Sequence, residues 1–209
     1  MKFTLATSLA LASLMETSEA KMGLGQCPEV SIVENFDKTR FAGQWYEQVR
    51  DRTNPYTLFT DCVTMEFALN QDEDLDLYFR GYYYLLFKYN GVNGTMYQCD
   101  ESNQDWTCMA TMGGGEKRSP FPVFATDYDS YIINYGCFTA ANLVNMEYFS
   151  VVTREQTMSA ETEEAVLAVL REKLPSYADN WKNWLVLERP TQNDSCQYEW
   201  MYDDADHSY

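Results

Sequence analysis

Thr60-Asp61-Cys62-Val63-Thr64-Met65-Glu66-Phe67-Ala68-Leu69 alternates with a period of two. Val63, Met65, Phe67 and Leu69 fall on one side, and Thr64, Glu66 and Ala68 on the other. That period marks an extended strand with one buried face. Reading outward, Leu75, Leu77 and Phe79 alternate with Asp76, Tyr78 and Arg80, and the aromatic run Tyr82 to Tyr89 continues that strand. Upstream, Phe41 to Asp51 reads as a first strand. Asn90-Gly91 and Asn93-Gly94 are hairpin signals. Thr95 to Asp100 and Trp106 to Met112 read as a short hairpin, broken by Gly113 to Gly115. Phe121 to Tyr128, Tyr131 to Phe138 and Glu147 to Arg154 complete eight strands.

Eight consecutive strands with short turns make the chain all-β, as an up-and-down antiparallel barrel or a sandwich. The strands are long for a sandwich. A barrel of eight has an interior just wide enough for one small ligand. One helix follows. Ser159 is a good N-cap, and Glu161, Glu163 and Glu164 load its first turn. Val166, Leu167, Leu170 and Leu174 form an apolar stripe, Arg171 and Lys173 sit near its end, and Pro175 stops it. A single helix after a closed barrel packs outside it. Asn183 to Leu187 reads as one more strand on that flank.

The 209 residues suit one domain and can bury a full core. Apolar residues make up 45%, which argues against general disorder. Aromatics reach 15%, with 16 Tyr and 11 Phe, a supply that suits strands and an aromatic-lined cavity. The formal charge is −17, from 32 acidic and 15 basic residues. Such a surface does not neutralise phosphates, so nucleic acid is excluded as a partner, and an anionic membrane would repel it. The charge serves solubility first, and attraction of a cationic ligand or partner second.

Met1 and Lys2 precede an apolar stretch from Phe3 to Met15, and Ser18-Glu19-Ala20 follows, which is the layout of a cleaved signal peptide over 1–20. That run is too short to span a bilayer, and no later segment suits a membrane helix, so no membrane insertion is expected. The division that follows is a secreted, extracellular domain over 21–196 and a polar, acidic tail over 197–209, mobile in its last residues. Six cysteines remain: Cys27, Cys62, Cys99, Cys108, Cys137 and Cys196. An even count in a secreted chain implies a disulfide framework. The only histidine is His207, so neither a histidine-held metal or haem nor a Ser-His-Asp or Cys-His catalytic set is expected.

Asn35-Phe36-Asp37, followed by Phe41-Ala42-Gly43-Gln44-Trp45-Tyr46-Glu47, resembles the first motif of the lipocalins, a Gly-x-Trp at the start of the first strand. Thr126-Asp127-Tyr128, followed by Tyr131, Tyr135 and Cys137, resembles the second, and Arg154 matches the third. A lone Gly-x-Trp would be weak; three motifs in order, with this strand count between them and a helix after, are strong. The resemblance covers about Cys27 to Cys196 and is closest to the apolipoprotein D and bilin-binding branch. It implies the lipocalin calyx with its one helix outside. It implies that Trp45 lies across the closed end with Arg154 stacked on it, a structural pair. Gly43, Thr126, Asp127 and Tyr128 are structural likewise, and Asp127 stabilises a turn rather than acting as an acid. The family's pairing implies Cys27 with Cys137 and Cys62 with Cys196. Cys99 and Cys108 are then left facing each other across the fourth and fifth strands, outside the usual pattern. Each bridge is worth ~2–4 kcal/mol.

The same resemblance suggests which parity faces inward: Glu47 and Val49 in strand one, Met65 and Phe67 in strand two, Leu77, Phe79 and Tyr83 in strand three, Phe121 and Val123 in strand six, and Tyr148, Ser150 and Val152 in strand eight. This lining is apolar with a few hydroxyls, and suits a largely apolar ligand fixed by one or two polar groups. Glu47 is the sharpest residue. An inward carboxylate is costly unless solvated at the mouth or paired, with a cationic ligand group or with Arg80 or Lys88 turned inward. Bilin, steroid, retinoid, fatty acid and carotenoid all fit. The tyrosines suit a bilin best, and no cysteine is spare for a covalent link, so a pigment would be held non-covalently. No cofactor is required. Alternatives are a lipocalin-type isomerase, which needs a free cavity cysteine, and a secreted signal or recognition protein with a receptor as partner. Asn93-Gly94-Thr95 and Asn193-Asp194-Ser195 are glycosylation sequons placed in turns or tail.

Overall fold

A computed structural model describes residues 22–52, 59–99, 107–140 and 143–201. The signal-peptide expectation, Trp106 and His207 lie outside the described residues. The elements run β1 (Met22–Leu24), α1 (Lys38–Phe41), β2 (Gly43–Asp51), β3 (Thr60–Leu69), β4 (Leu75–Tyr83), β5 (Lys88–Tyr97), β6 (Cys108–Met112), β7 (Ser119–Phe121), β8 (Val123–Thr126), β9 (Tyr131–Ala140), β10 (Val144–Thr153), α2 (Ala160–Lys173), α3 (Pro175–Asp179) and β11 (Leu187–Glu188). The sheet order is β7-β6-β5-β4-β3-β2-β10-β9-β8, with β1 added to β10 and β11 to β2. The strand pairs among the described residues are antiparallel, and β10 against β2 brings the last barrel strand onto the first. The two ends of that path, β7 and β8, are one stretch of chain broken at Pro122. The result is a nearly closed eight-stranded up-and-down barrel.

Several boundaries differ from those read in the sequence. Phe41 belongs to α1, whose N-cap Asp37 accepts from the Arg40 amide at 3.0 Å, so the first strand starts at Gly43. The aromatic run does not continue to Tyr89, because the β4–β5 turn falls at Tyr84 to Phe87, a turn with neither Gly nor Pro in it. Both Asn-Gly pairs therefore lie inside β5, not in hairpins, and Asn93 is in a strand. Gly91 and Gly94 are there for close approach: a Cβ on the first would strike the Tyr78 ring, and on the second the Thr111 carbonyl. The stretch from Phe121 splits because Pro122 cannot donate to a ladder, and β7 pairs with β6 while β8 pairs with β9. Pro175 follows the end of α2, as expected, and opens α3. Of the last strand expected, Asn183 to Leu187, only Leu187 pairs; β11 is Leu187 with Glu188, opposite Asp51 and Arg50.

Two apolar cores result. One fills the barrel's closed end, with Phe41, Trp45, Phe67, Leu75, Leu77, Met96, Val123, Ile132 and Val152. The other lies outside, where Val166 and Leu170 of α2 and Leu174 just beyond it pack with Tyr177 on Tyr135, Phe149 and Val151. Ser159 caps α2 by accepting from the Thr162 amide at 3.1 Å.

The outer face of β3 is not solvent-exposed, contrary to its alternation: Thr64, Glu66 and Ala68 are all buried. The C-terminal stretch covers them. Tyr198 and Trp200 pack edge-on against Tyr46, and the Met201 amide donates to Glu66 at 2.6 Å. The start of the expected tail is thus part of the packed body. Disulfides join Cys27 to Cys137, Cys62 to Cys196 and Cys99 to Cys108. Among the described residues no helix is long and apolar enough to cross a membrane.

Candidate functional site in the barrel interior

The floor is built around Trp45. Its indole N–H donates to the Phe41 carbonyl at 3.0 Å, and the Arg154 guanidinium lies 3.6 Å from its ring centroid. Arg154 also donates to the carbonyls of Arg40 at 2.7 Å, Gln44 at 3.4 Å and Tyr128 at 3.2 Å. Burial lowers the Arg154 pKa to about 10, still charged at neutral pH. Gly43 has φ +108°, and a Cβ there would sit 2.6 Å from Arg154 Nη1, so this glycine is required twice over. Thr126 and Asp127 shape the neighbouring turn. Thr126 Oγ1 donates to the Tyr131 carbonyl at 2.6 Å and accepts from the Tyr128 amide at 2.8 Å. The Asp127 carboxylate accepts from the amides of Asp129, Ser130 and Tyr131 at 3.1, 2.8 and 3.0 Å. Burial alone would raise its pKa; the donors from Ser130, Tyr131 and Asp129 outweigh that and lower it.

Above the floor, cross-strand register assigns the facing. Trp45 opposes Met65, Met65 opposes Phe79, and Phe67 opposes Leu77, so all share the interior. Tyr83 opposes Thr60 on the same side. Phe121 lies against Phe67 with ring centroids 6.3 Å apart. Tyr148 lies over Gly136, with Ser150 and Val152 on its face of β10. Of these interior residues, Phe67, Leu77, Phe79, Val123, Ser150 and Val152 are buried, while Met65, Tyr83, Phe121 and Tyr148 keep part of their surface accessible.

Val49 does not face inward. Val152 opposes Glu47 but Val151 opposes Val49, so β2 carries one extra residue, Gln48, between them. This β-bulge reverses the parity beyond it. Val49 joins the outer core under the helix. The Gln48 side chain reaches outward to the β10–α2 link, donating to the Gln156 carbonyl at 3.0 Å and accepting from the Met158 amide at 3.3 Å.

The bulge turns Arg50 inward instead, a residue the sequence reading missed because a three-residue spacing in a regular strand puts two side chains on opposite faces. Arg50 Nη1 meets Glu47 Oε2 at 2.8 Å, and the two side chains are 1% and 0% exposed. Arg50 also donates to Thr60 Oγ1 at 3.2 Å and to Glu188 at 3.4 Å. Glu47 is therefore neither in water at the mouth nor paired with Arg80 or Lys88. Arg80 points outward, against Tyr89, Glu199 and the Gln197 carbonyl; Lys88 is exposed. Burial raises the Glu47 pKa, with Arg50 opposing. On the next strands the Asn134 amide donates to Ser150 Oγ at 3.3 Å. Glu47 Oε1 and Asn134 Oδ1 are buried and meet no donor among the described residues. Those residues hold no cluster able to bind a metal.

No family model matches the chain. It is 28% identical over 144 residues to the bilin-binding protein of Pieris brassicae, spanning 68% of this chain and 74% of that one. It is also 28% identical over 160 residues to apolipoprotein D of Rattus norvegicus, spanning 73% and 79%. Among solved structures, apocrustacyanin C1 superposes with a TM-score of 0.67 at 18% identity, covering 84% of this chain and 93% of that one. Insecticyanin from the tobacco hornworm Manduca sexta gives 0.67 at 20% identity, covering 85% and 93%. At such identities the likeness of structure speaks for the fold alone.

Proposed function

The chain belongs to the lipocalin family, and on that premise we propose that it is a secreted carrier which holds one small hydrophobic molecule in its barrel and does no chemistry on it. The carrying observation is the gradient along the interior. Side chains at the floor are fully buried, whereas Met65, Tyr83, Phe121 and Tyr148 face inward yet keep accessible surface. Inward-facing side chains with surface to spare are where an apolar ligand would make its contacts.

The rim supports the same reading. Phe59, Leu85, Leu86 and Phe87, at the end where β4 turns into β5, are 54%, 73%, 53% and 83% exposed, a path that favours greasy cargo over polar solutes. A bilin is the first candidate, because Tyr83 and Tyr148 supply faces for stacking and hydroxyls for hydrogen bonds. All six cysteines are in disulfides, so a pigment would be held non-covalently, and an isomerase that relies on a cavity thiol has none to use. Three disulfides suit an oxidising, extracellular setting. Asn93 and Asn193 are exposed and so open to glycosylation.

Purification of the native protein, an absorption spectrum and mass spectrometry of its organic extract test this reading. One tightly held apolar molecule per chain is expected, with visible absorption if it is a bilin. A clean extract, together with no uptake of biliverdin or decanol by the extracted protein, would end the carrier reading.

A further inference from the structure

We propose that Glu47 and Asn134 form an acceptor subsite for the ammonium group of an apolar amine, so that the ligand is a hydrophobic cation rather than a neutral lipid or a fatty acid. The proposal rests on the carrier reading and names the class of its ligand.

Glu47 and Arg50 on β2, Ser150 on β10 and Asn134 on β9 lie on three neighbouring strands: Ser150 opposes Arg50 on one side and Asn134 on the other. All four are buried, Glu47 bonded to Arg50 on one side of β10 and Asn134, bonded to Ser150, on the other. Arg50 is already engaged by Glu47, Thr60 and Glu188, so it is not free to serve a second Glu47 oxygen. Glu47 Oε1 and Asn134 Oδ1 remain, both acceptors, both shielded from water and without a donor among the described residues. A buried acceptor without a donor is costly, and a buried carboxylate more so. What satisfies them must bring N–H or O–H groups, which a bound ligand can supply.

Charge narrows the choice. The group around Arg50 holds one guanidinium against two carboxylates, Glu47 and Glu188, and is net negative by one. Lys88 shares the interior parity but is exposed at the start of β5, which β4 and β3 separate from β2. A cationic donor neutralises the group; a neutral N–H satisfies the oxygens but leaves the charge, and a carboxylate meets repulsion. Met65, Phe79, Phe121 and Tyr148 would hold the apolar remainder.

The test uses four ligands with one chain length and different heads: decylamine, decanol, N-decylacetamide and decanoate. Binding to the full protein is followed by calorimetry near neutral pH. Decylamine is expected to bind at least about tenfold tighter than each of the others, in line with a buried polar site rejecting analogues that lack the matching group. Glu47→Gln should cut that preference to within about threefold, and Asn134→Leu should lower the ratio of amine to decanol affinity. If Glu47→Gln does not fold, the wild-type ranking and Asn134→Leu decide. Equal binding of all four would overturn the subsite and leave the carrier reading intact, and N-decylacetamide matching decylamine would overturn the cation. Failure of every ligand to bind would strike the carrier reading itself.

Discussion

Arg154 stands where three stretches of backbone converge, and its role can be separated from binding. It meets Trp45 face-on and serves the carbonyls of Arg40, Gln44 and Tyr128 from a single planar fork, which a lysine cannot reproduce. Arg154→Lys should lower stability by about 2–4 kcal/mol, from lost charge-assisted hydrogen bonds and stacking. Urea unfolding measures this, and an unchanged midpoint would refute the role; ligand affinity should move little, since the residue lies below the floor. Glu147 gives a pH-dependent case. Burial raises its pKa, while the Tyr177 hydroxyl, which donates to Glu147 Oε2 at 3.2 Å, opposes that rise. A carboxyl with a raised folded-state pKa contributes stability that is fully present below its unfolded value near about 4.3, and lost as pH rises through the folded value. Glu147→Gln should therefore gain in thermal midpoint over wild type as pH goes from about 4 to 8. A difference flat across that range would contradict it. The motif residues Gly43, Trp45 and Arg154 were legible in sequence because they fall in the order of the lipocalin motifs, and the contact of Arg154 with Trp45 was what that resemblance implied. Val49 and Arg50 were not, because one bulged residue at Gln48 inverts everything after it and no residue type announces a bulge.

Strand β3 shows what patterning can and cannot carry. Its limits, Thr60 to Leu69, follow from alternation alone, yet its outer face is buried by a segment more than a hundred residues away. That cover is pinned by Cys62–Cys196, across 134 positions, and by the donation of the Met201 amide to Glu66. Removing both cysteines, as Cys62→Ala with Cys196→Ala, should cost about 2–4 kcal/mol. Hydrogen exchange should quicken in β3 and β4 while α2 on the opposite flank stays protected. Uniform loosening would mean that the bridge acts on the unfolded chain alone. The same logic explains the two misread Asn-Gly pairs. A glycine required for cross-strand clearance has the same letter as one required for a turn, and only the packing of Tyr78 and Thr111 distinguishes them.

For the whole molecule, the order of strands and the long outer helix α2 were readable because eight alternating runs admit few arrangements, while α3 and the content of the barrel were not, the latter because it depends on register that no single strand encodes. The floor is fully buried, while Met65, Tyr83, Phe121 and Tyr148 higher up keep accessible surface, so on the carrier reading the two halves should answer differently to binding. A ligand that binds only the folded state adds about 2.7 kcal/mol at a hundredfold excess over its Kd. Biliverdin or decylamine at that excess should raise the unfolding free energy by this amount. Amide exchange should slow chiefly in the upper turns of β4–β5 and the start of β10, with the strand segments around Trp45 and Ile132 unchanged, because those are sealed already. Protection centred on the floor would place the ligand below Glu47. Protection confined to the outer hollows of about 430 and 210 Å³ beside Trp181 would place it outside the barrel, against the helix.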